Sequence, residues 1–227
     1  MEERSRPAAC EKGCRFFTDE AAAREAGLVG TLVGFGRNQT IYAKGEEARH
    51  SYKVIEGAVR LSRVFADGRR QIVGFFLPGE SFGIELSEQY TSTAEAVGEV
   101  VALRCPRQCI VQMSAGDTDI GQKRLAMLGK SLAAAERHVA MLGHQSAKER
   151  VASFLLALEA ERRADSDGTL DLPLGRQDIA DYLGLTIETT CRALSDLKRQ
   201  NILSTPSRRR IVIRDLAALR AIAEGQS

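Results

Sequence analysis

The sequence predicts an α+β chain in three parts: a small β-barrel or jelly roll, one long helix, and a compact C-terminal unit of helices closed by a two-stranded wing. Three observations carry this. Between about Gly34 and Ile110 short β-rich runs alternate with turn residues. Near Asp119 the apolar period becomes helical. After Gly143 further helical segments lead to a basic pair of short strands.

The opening residues, MEERSRPAACEKGC, are charged and contain no apolar core of the kind a secretory signal carries. No apolar run is long enough to span a bilayer, so a cytoplasmic chain without membrane association is expected. Residues 18 to 27, TDEAAAREAG, read as a short helix, capped by Thr18 or Asp19 and ended by Gly27. In the β-rich region, TIYAKGEEA, YKVIEGAVRLSRVFADGRRQIVGFFLPGESFGI and AEAVGEVVALRC give several strands at near-regular spacing, the pattern of a small closed β-structure. Asp67-Gly68 lies between alternating runs and predicts a hairpin with a type I′ turn, where Gly accepts positive φ.

Leu125, Leu128, Leu132, Ala135, Val139 and Leu142 alternate spacings of three and four, the seam of a coiled coil. Lys123, Arg124, Lys130, Glu136 and Arg137 flank it. A seam this narrow favours a partner helix related by two-fold symmetry over packing on the chain's own barrel. A boundary is placed near residue 145, giving segments 1–17, 18–116, 117–144 and 145–227.

In the last segment GRQDIADYLGL reads as a helix from Arg176 to Leu183 with an apolar face of Ile179, Ala180 and Leu183. A turn through Gly184 and Leu185 follows, then a helix capped by Thr186. Two helices joined by a Gly-containing turn form a helix-turn-helix. NILS and RRRIVIRD pair as a two-stranded wing with TPSRR at its tip.

The second helix has two faces. Ile187, Thr190, Leu194 and Leu197 make a stripe to bury; Glu188, Cys191, Arg192 and Ser195 make another that points elsewhere. In this motif the outward residues of the second helix enter the major groove. Arg192 can bond guanine bidentately, Glu188 can accept from cytosine, and each good pair carries roughly 1–3 kcal/mol of discrimination. Thr189 and Cys191 are further candidate DNA-binding residues of this helix. Ser195, Lys198, Arg199 and the run Arg208-Arg209-Arg210 supply phosphate contacts. The alternative for Glu188 and Arg192, a surface ion pair, is worth only a few tenths of a kcal/mol, about 0.3. The preceding helix, the Gly turn and the basic wing favour double-stranded DNA. Net charge is only +2, so the distribution of charge, not its total, makes this argument.

GRQDIADYLGLTIETTCRALSDLKRQNIL closely resembles the DNA-binding signature of the CRP/FNR superfamily of bacterial transcription regulators, which has E-x-x-(S/C)-R on its recognition helix. The resemblance extends over nearly the whole chain, and DGRRQIVGFFLPGESFGI and DYLGLTIET are closest to its FNR/FixK branch. It implies an N-terminal β-roll of the cyclic-nucleotide-binding type, a dimerisation helix and a winged helix-turn-helix. It further implies a homodimer on a palindrome resembling TTGAT–N4–ATCAA, acting as an activator in low-oxygen or redox-responsive control. The turn Ala66 to Arg70 corresponds to a loop that touches RNA polymerase.

Two features depart from the family pattern. Members that bind a cyclic nucleotide carry an Arg-Ser pair for the phosphate; here the region reads YTSTAEAV, so no cyclic nucleotide is expected. Oxygen-sensing members ligate a [4Fe–4S] cluster with closely spaced N-terminal cysteines and a central one; here the pairs are Cys10/Cys14 and Cys105/Cys109. Four cysteines suffice for a cluster. A cluster, a redox-responsive dithiol and plain cysteines all stand open. Cys191, where many relatives have Ser, is a separate candidate redox switch, since oxidation would put negative charge against phosphate; a passive Ser substitute is the alternative.

Two other functions compete with a regulator: a β-roll whose bound small molecule controls DNA binding, and an iron–sulfur enzyme. No P-loop, G-x-S-x-G or G-x-G-x-x-G occurs, and the three histidines make no metal pattern, so no enzyme is expected.

Overall fold

The computed structural model describes residues 30–85, 87–107, 118–162, 169–172, 174–207 and 210–225. The short helix expected at 18–27 lies outside these residues. The chain divides into two compact units. One holds residues 1–61 and 75–116, the other residues 62–74 and 117–227.

Strands between residues 31 and 106 form two four-stranded sheets, and the hairpin segment 62–74 of the second sheet is grouped with the second unit. One has the order β1 (Thr31–Phe35), β8 (Val100–Pro106), β3 (His50–Glu56), β6 (Ser81–Phe82). The other has the order β2 (Thr40–Tyr42), β7 (Thr93–Ala96), β4 (Val59–Val64), β5 (Arg70–Phe76). Strand β8 lies antiparallel to both β1 and β3. Alternate residues turn inward, and Val33, Tyr42, Tyr52, Val54, Phe82 and Tyr90 are buried together. Tyr42 stacks on Tyr90 with ring centres 3.6 Å apart, and Tyr52 stacks on Phe82 at 5.2 Å. Burial pushes the Tyr42 and Tyr52 phenols well above their ordinary value. These rings fill the roll with apolar surface and give it its core.

The hairpin between β4 and β5 forms as expected, with a different turn. Gly68 has φ 81°, whereas Asp67 does not have positive φ. A type I′ turn needs positive φ at both central residues. Here Gly68 N–H donates to the Phe65 carbonyl at 2.9 Å, and Gly68 is the one left-handed residue of the loop. Asp67 holds the other side, its carboxylate accepting from the backbone and the Nε of Arg69.

In the second unit, α1 (Thr118–His144) and α2 (Ala147–Arg162) precede β9 (Thr169–Asp171). The helix-turn-helix follows as α3 (Arg176–Leu183) and α4 (Ile187–Arg199), then β10 (Leu203–Ser204), β11 (Arg210–Ile213) and α5 (Leu216–Ala223). The wing has three strands, not two, in the order β10-β11-β9. Strand β9 comes from TLD, in a stretch whose polar lead-in masks a short strand; it pairs antiparallel with β11 and buries Leu170. Helix α5 was not expected. Asp215 caps it, accepting the Ala218 N–H at 2.8 Å, and Leu219 and Ile222 are buried. Among the described residues no helix is long and apolar enough to cross a membrane.

Candidate nucleic-acid interface

Helix α3 runs from Arg176 to Leu183 and ends at Gly184, whose φ of 62° is the left-handed conformation that closes a helix with least strain in glycine. Ile179, Ala180 and Leu183 are buried, the expected apolar face. Asp178 is buried as well, its Oδ2 accepting the Gly175 N–H at 3.2 Å. That carboxylate satisfies a backbone donor at the helix start.

Helix α4 starts where the Thr186 hydroxyl accepts the Thr189 N–H at 3.2 Å. Thr190, Leu194 and Leu197 are buried and Ile187 is half-buried. Thr190 tolerates full burial because its hydroxyl donates to the Thr186 carbonyl at 3.0 Å. Glu188, Cys191, Arg192 and Ser195 are all exposed, and Thr189 is half-buried beside them. The two faces are therefore separated as the spacing predicts. The Glu188 carboxyl is held below its ordinary value, first by its own backbone N–H and the Thr186 hydroxyl, and then by the charge of Arg192. Glu188 thus presents a carboxylate acceptor at neutral pH.

Arg199 is exposed and pairs with Asp196 at 2.7 Å, a surface pair that phosphate could displace at small cost. Arg208 and Arg209 lie outside the described residues. Arg176, at the start of α3, is a neighbour of this face that sequence reasoning missed. Burial pushes its guanidinium below the ordinary value, and an interaction with the nearby Cys191 opposes this. Arg176, distant in sequence, is thus a cation near Cys191 besides its chain neighbour Arg192.

The end of α3 is fastened by side chains that periodicity does not reveal. Arg150 of α2 donates to the carbonyls of Leu183, Leu142 and Gln145 at 2.8–2.9 Å. His138 of α1 donates from Nε2 to the Tyr182 carbonyl at 2.8 Å and stacks on the Tyr182 ring at 4.1 Å. The acceptors on α3, the carbonyls of Tyr182 and Leu183, are remote in sequence from His138 and Arg150, so no local spacing marks these donors.

On α1, Leu128, Leu132, Ala135 and Val139 are exposed, Leu132 at 62% and Val139 at 70%. Leu142 is half-buried and reaches the Gly184 turn. The side chain of Leu125 lies outside the described residues. Of the cluster candidates, Cys105 is half-buried on β8, while Cys10, Cys14 and Cys109 lie outside the described residues. Among the described residues no group of His, Cys, Asp and Glu could hold a metal ion. Inside the roll Tyr42 stacks on Tyr90, and Arg60, the buried cation beside β7, is paired with Glu95 at 3.1 Å.

Residues 32–117 match the cyclic nucleotide-binding domain and residues 149–222 the Crp-like helix-turn-helix domain. The nitrogen fixation regulation protein FixK of Azorhizobium caulinodans is 40% identical over 210 residues, covering 90% of this chain and 84% of that protein. The transcriptional activator protein FnrL of Cereibacter sphaeroides is 34% identical over 188 residues, covering 80% of this chain and 75% of that protein. The solved structure of FixK2 from Bradyrhizobium japonicum superposes with a TM-score of 0.82 at 39% identity, covering 86% of this chain and 98% of that one. These relatives are regulators and not enzymes. With a β-roll followed by an anchored helix-turn-helix, and with likeness at this level along most of its length, the chain belongs to the CRP/FNR family of DNA-binding transcription regulators.

Proposed function

We propose that the chain acts as a homodimer that reads an inverted repeat resembling TTGAT–N4–ATCAA and activates low-oxygen or redox-responsive genes. The observation that carries this is the exposed row Glu188, Cys191, Arg192 and Ser195 on a helix whose opposite face is buried. Glu188, Thr189, Cys191 and Arg192 meet base edges, while Ser195, Arg199 and Arg209 meet phosphates. The exposed apolar residues of α1, Leu128, Leu132, Ala135 and Val139, continued by Leu125 and Leu142, pack against the same helix of a second copy. Such a pair presents two reading helices about one DNA turn apart. The FixK and FnrL relatives, named a nitrogen fixation regulation protein and a transcriptional activator protein, support regulation and activation. RNA polymerase is the second partner, through the turn Ala66 to Arg70.

Cys191 adds redox control to this site. It is exposed on the reading face beside Arg176. Conversion to a sulfenic or sulfinic acid adds a polar, then anionic, group where phosphate must approach. Fluorescence anisotropy with the palindrome and a scrambled duplex, before and after peroxide, tests both statements. A preference for the palindrome that peroxide abolishes in the wild type but not in Cys191→Ser is the expected result. Equal affinity for both duplexes would remove the reading. Equal peroxide sensitivity in the two proteins would remove the switch alone.

A further inference from the structure

Residues 62–74 belong to the same compact unit as α1 to α5. Within it Arg70 is directed at α3. Its Nε donates to Asp181 Oδ2 at 2.7 Å and its Nη2 to Asp178 Oδ1 at 3.1 Å. Nη2 also lies 2.7 Å from Asp181 Oδ2. The adjacent Gln71 donates from Nε2 to the Tyr182 carbonyl at 3.1 Å. One dipeptide therefore grips α3 along most of its length, from Asp178 to Tyr182.

The two carboxylates are well shielded, with side-chain exposures of 10% and 11% against 27% for Arg70. Removing one partner of such a shielded pair leaves an uncompensated charge and costs more than breaking a surface pair, and the fork's geometry fixes direction as well as distance. Its neighbour behaves differently. Arg69 is exposed and turned back onto Asp67 at 2.7 Å within the turn. Helix α3 is short and joins α4 through the Gly184–Thr186 turn. Whatever sets the orientation of α3 therefore sets that of α4.

We propose that Arg70 is a positioning residue for base reading: by clamping Asp178 and Asp181 it holds α4 in the orientation in which Glu188 and Arg192 meet the groove. This rests on the reading that α4 enters the major groove. Arg70 touches no base. It acts through α3, and of the turn Ala66–Arg70 it is the residue turned toward the protein.

The test measures two quantities on the full-length protein: the ratio of affinities for the palindrome and a random duplex, and the melting temperature. Arg70→Met lowers the ratio about tenfold. Arg69→Ala leaves it at the wild-type value. The triple variant Arg70→Met/Asp178→Asn/Asp181→Asn, which removes the uncompensated acids, regains melting temperature but not the ratio. An unchanged ratio in Arg70→Met overturns the role. So does a triple variant in which ratio and melting temperature return together, because Arg70 would then serve stability alone. A wild type without preference for the palindrome overturns the groove reading itself, and this role with it.

Discussion

The guanidinium of Arg150 on α2 donates to the carbonyl of Leu183 at 2.9 Å and to that of Leu142 at 2.8 Å. One cation thus closes the C-terminal ends of α3 and α1, where backbone carbonyls have no partner within their own helices. Hydrogen bonds to a charged donor are worth about 1.5–3 kcal/mol. Arg150→Met should lower the unfolding free energy by about 2 kcal/mol, measured by urea denaturation. A change near zero would mean that water replaces Arg150 at these carbonyls without loss.

Thr186 begins the reading helix through its hydroxyl. Thr186→Ala should cost about 1 kcal/mol of stability, and Thr186→Ser far less, because serine keeps the acceptor. Thermal melting of the three proteins checks the order.

Arg192 and Arg209 should separate in kind. Arg192→Ala should remove discrimination worth roughly 1–3 kcal/mol while leaving the dimer folded. Arg209→Ala should weaken all DNA about equally and reduce the salt slope by about 1. Affinities for several duplexes at a series of salt concentrations distinguish the two, and equal loss of specificity from both would contradict the division.

Leu132 and Val139 expose large apolar surface on α1. Leu132→Glu places a charge in the proposed seam and should convert the dimer to monomer without unfolding the chain. Sedimentation equilibrium reads the mass directly. A dimer as tight as wild type would move the interface elsewhere.

His138 gives a pH dependence with a definite sign. Burial, the largest influence, holds its folded pKa below the ordinary 6.5, outweighing its bonds to the Tyr182 and Val73 backbone. Between the folded value and 6.5 the unfolded chain binds more proton, so stability rises with pH through that window. The contribution is complete above 6.5 and is lost as pH falls. His50 is depressed in the same direction, chiefly by burial, so the comparison must be with His138→Gln, in which the slope of unfolding free energy against pH just below 6.5 should be smaller. An unchanged slope would remove His138 as its source.

The helix-turn-helix was legible because local rules suffice there. Arg176–Leu183, the Gly184 cap, the Thr186 cap and the two faces of α4 all follow from spacing and capping. The Asp67-Gly68 hairpin was legible in place but not in turn type, since the Asp67 bonds to Arg69 decide the geometry. Strand β9 was hidden because its pairing with β11 is non-local. Arg70, His138 and Arg150 were invisible for the same reason: their acceptors on α3 lie far along the chain.

The central claim is that two copies of α4, set by the dimer, read two half-sites together. Its most direct test is the affinity of the purified reduced protein for the TTGAT–N4–ATCAA duplex against one whose half-sites are moved apart by about five base pairs, half a helical turn. The account predicts tight binding to the first and, for the second, affinity no better than for random DNA. Equal affinity for the two spacings would contradict it.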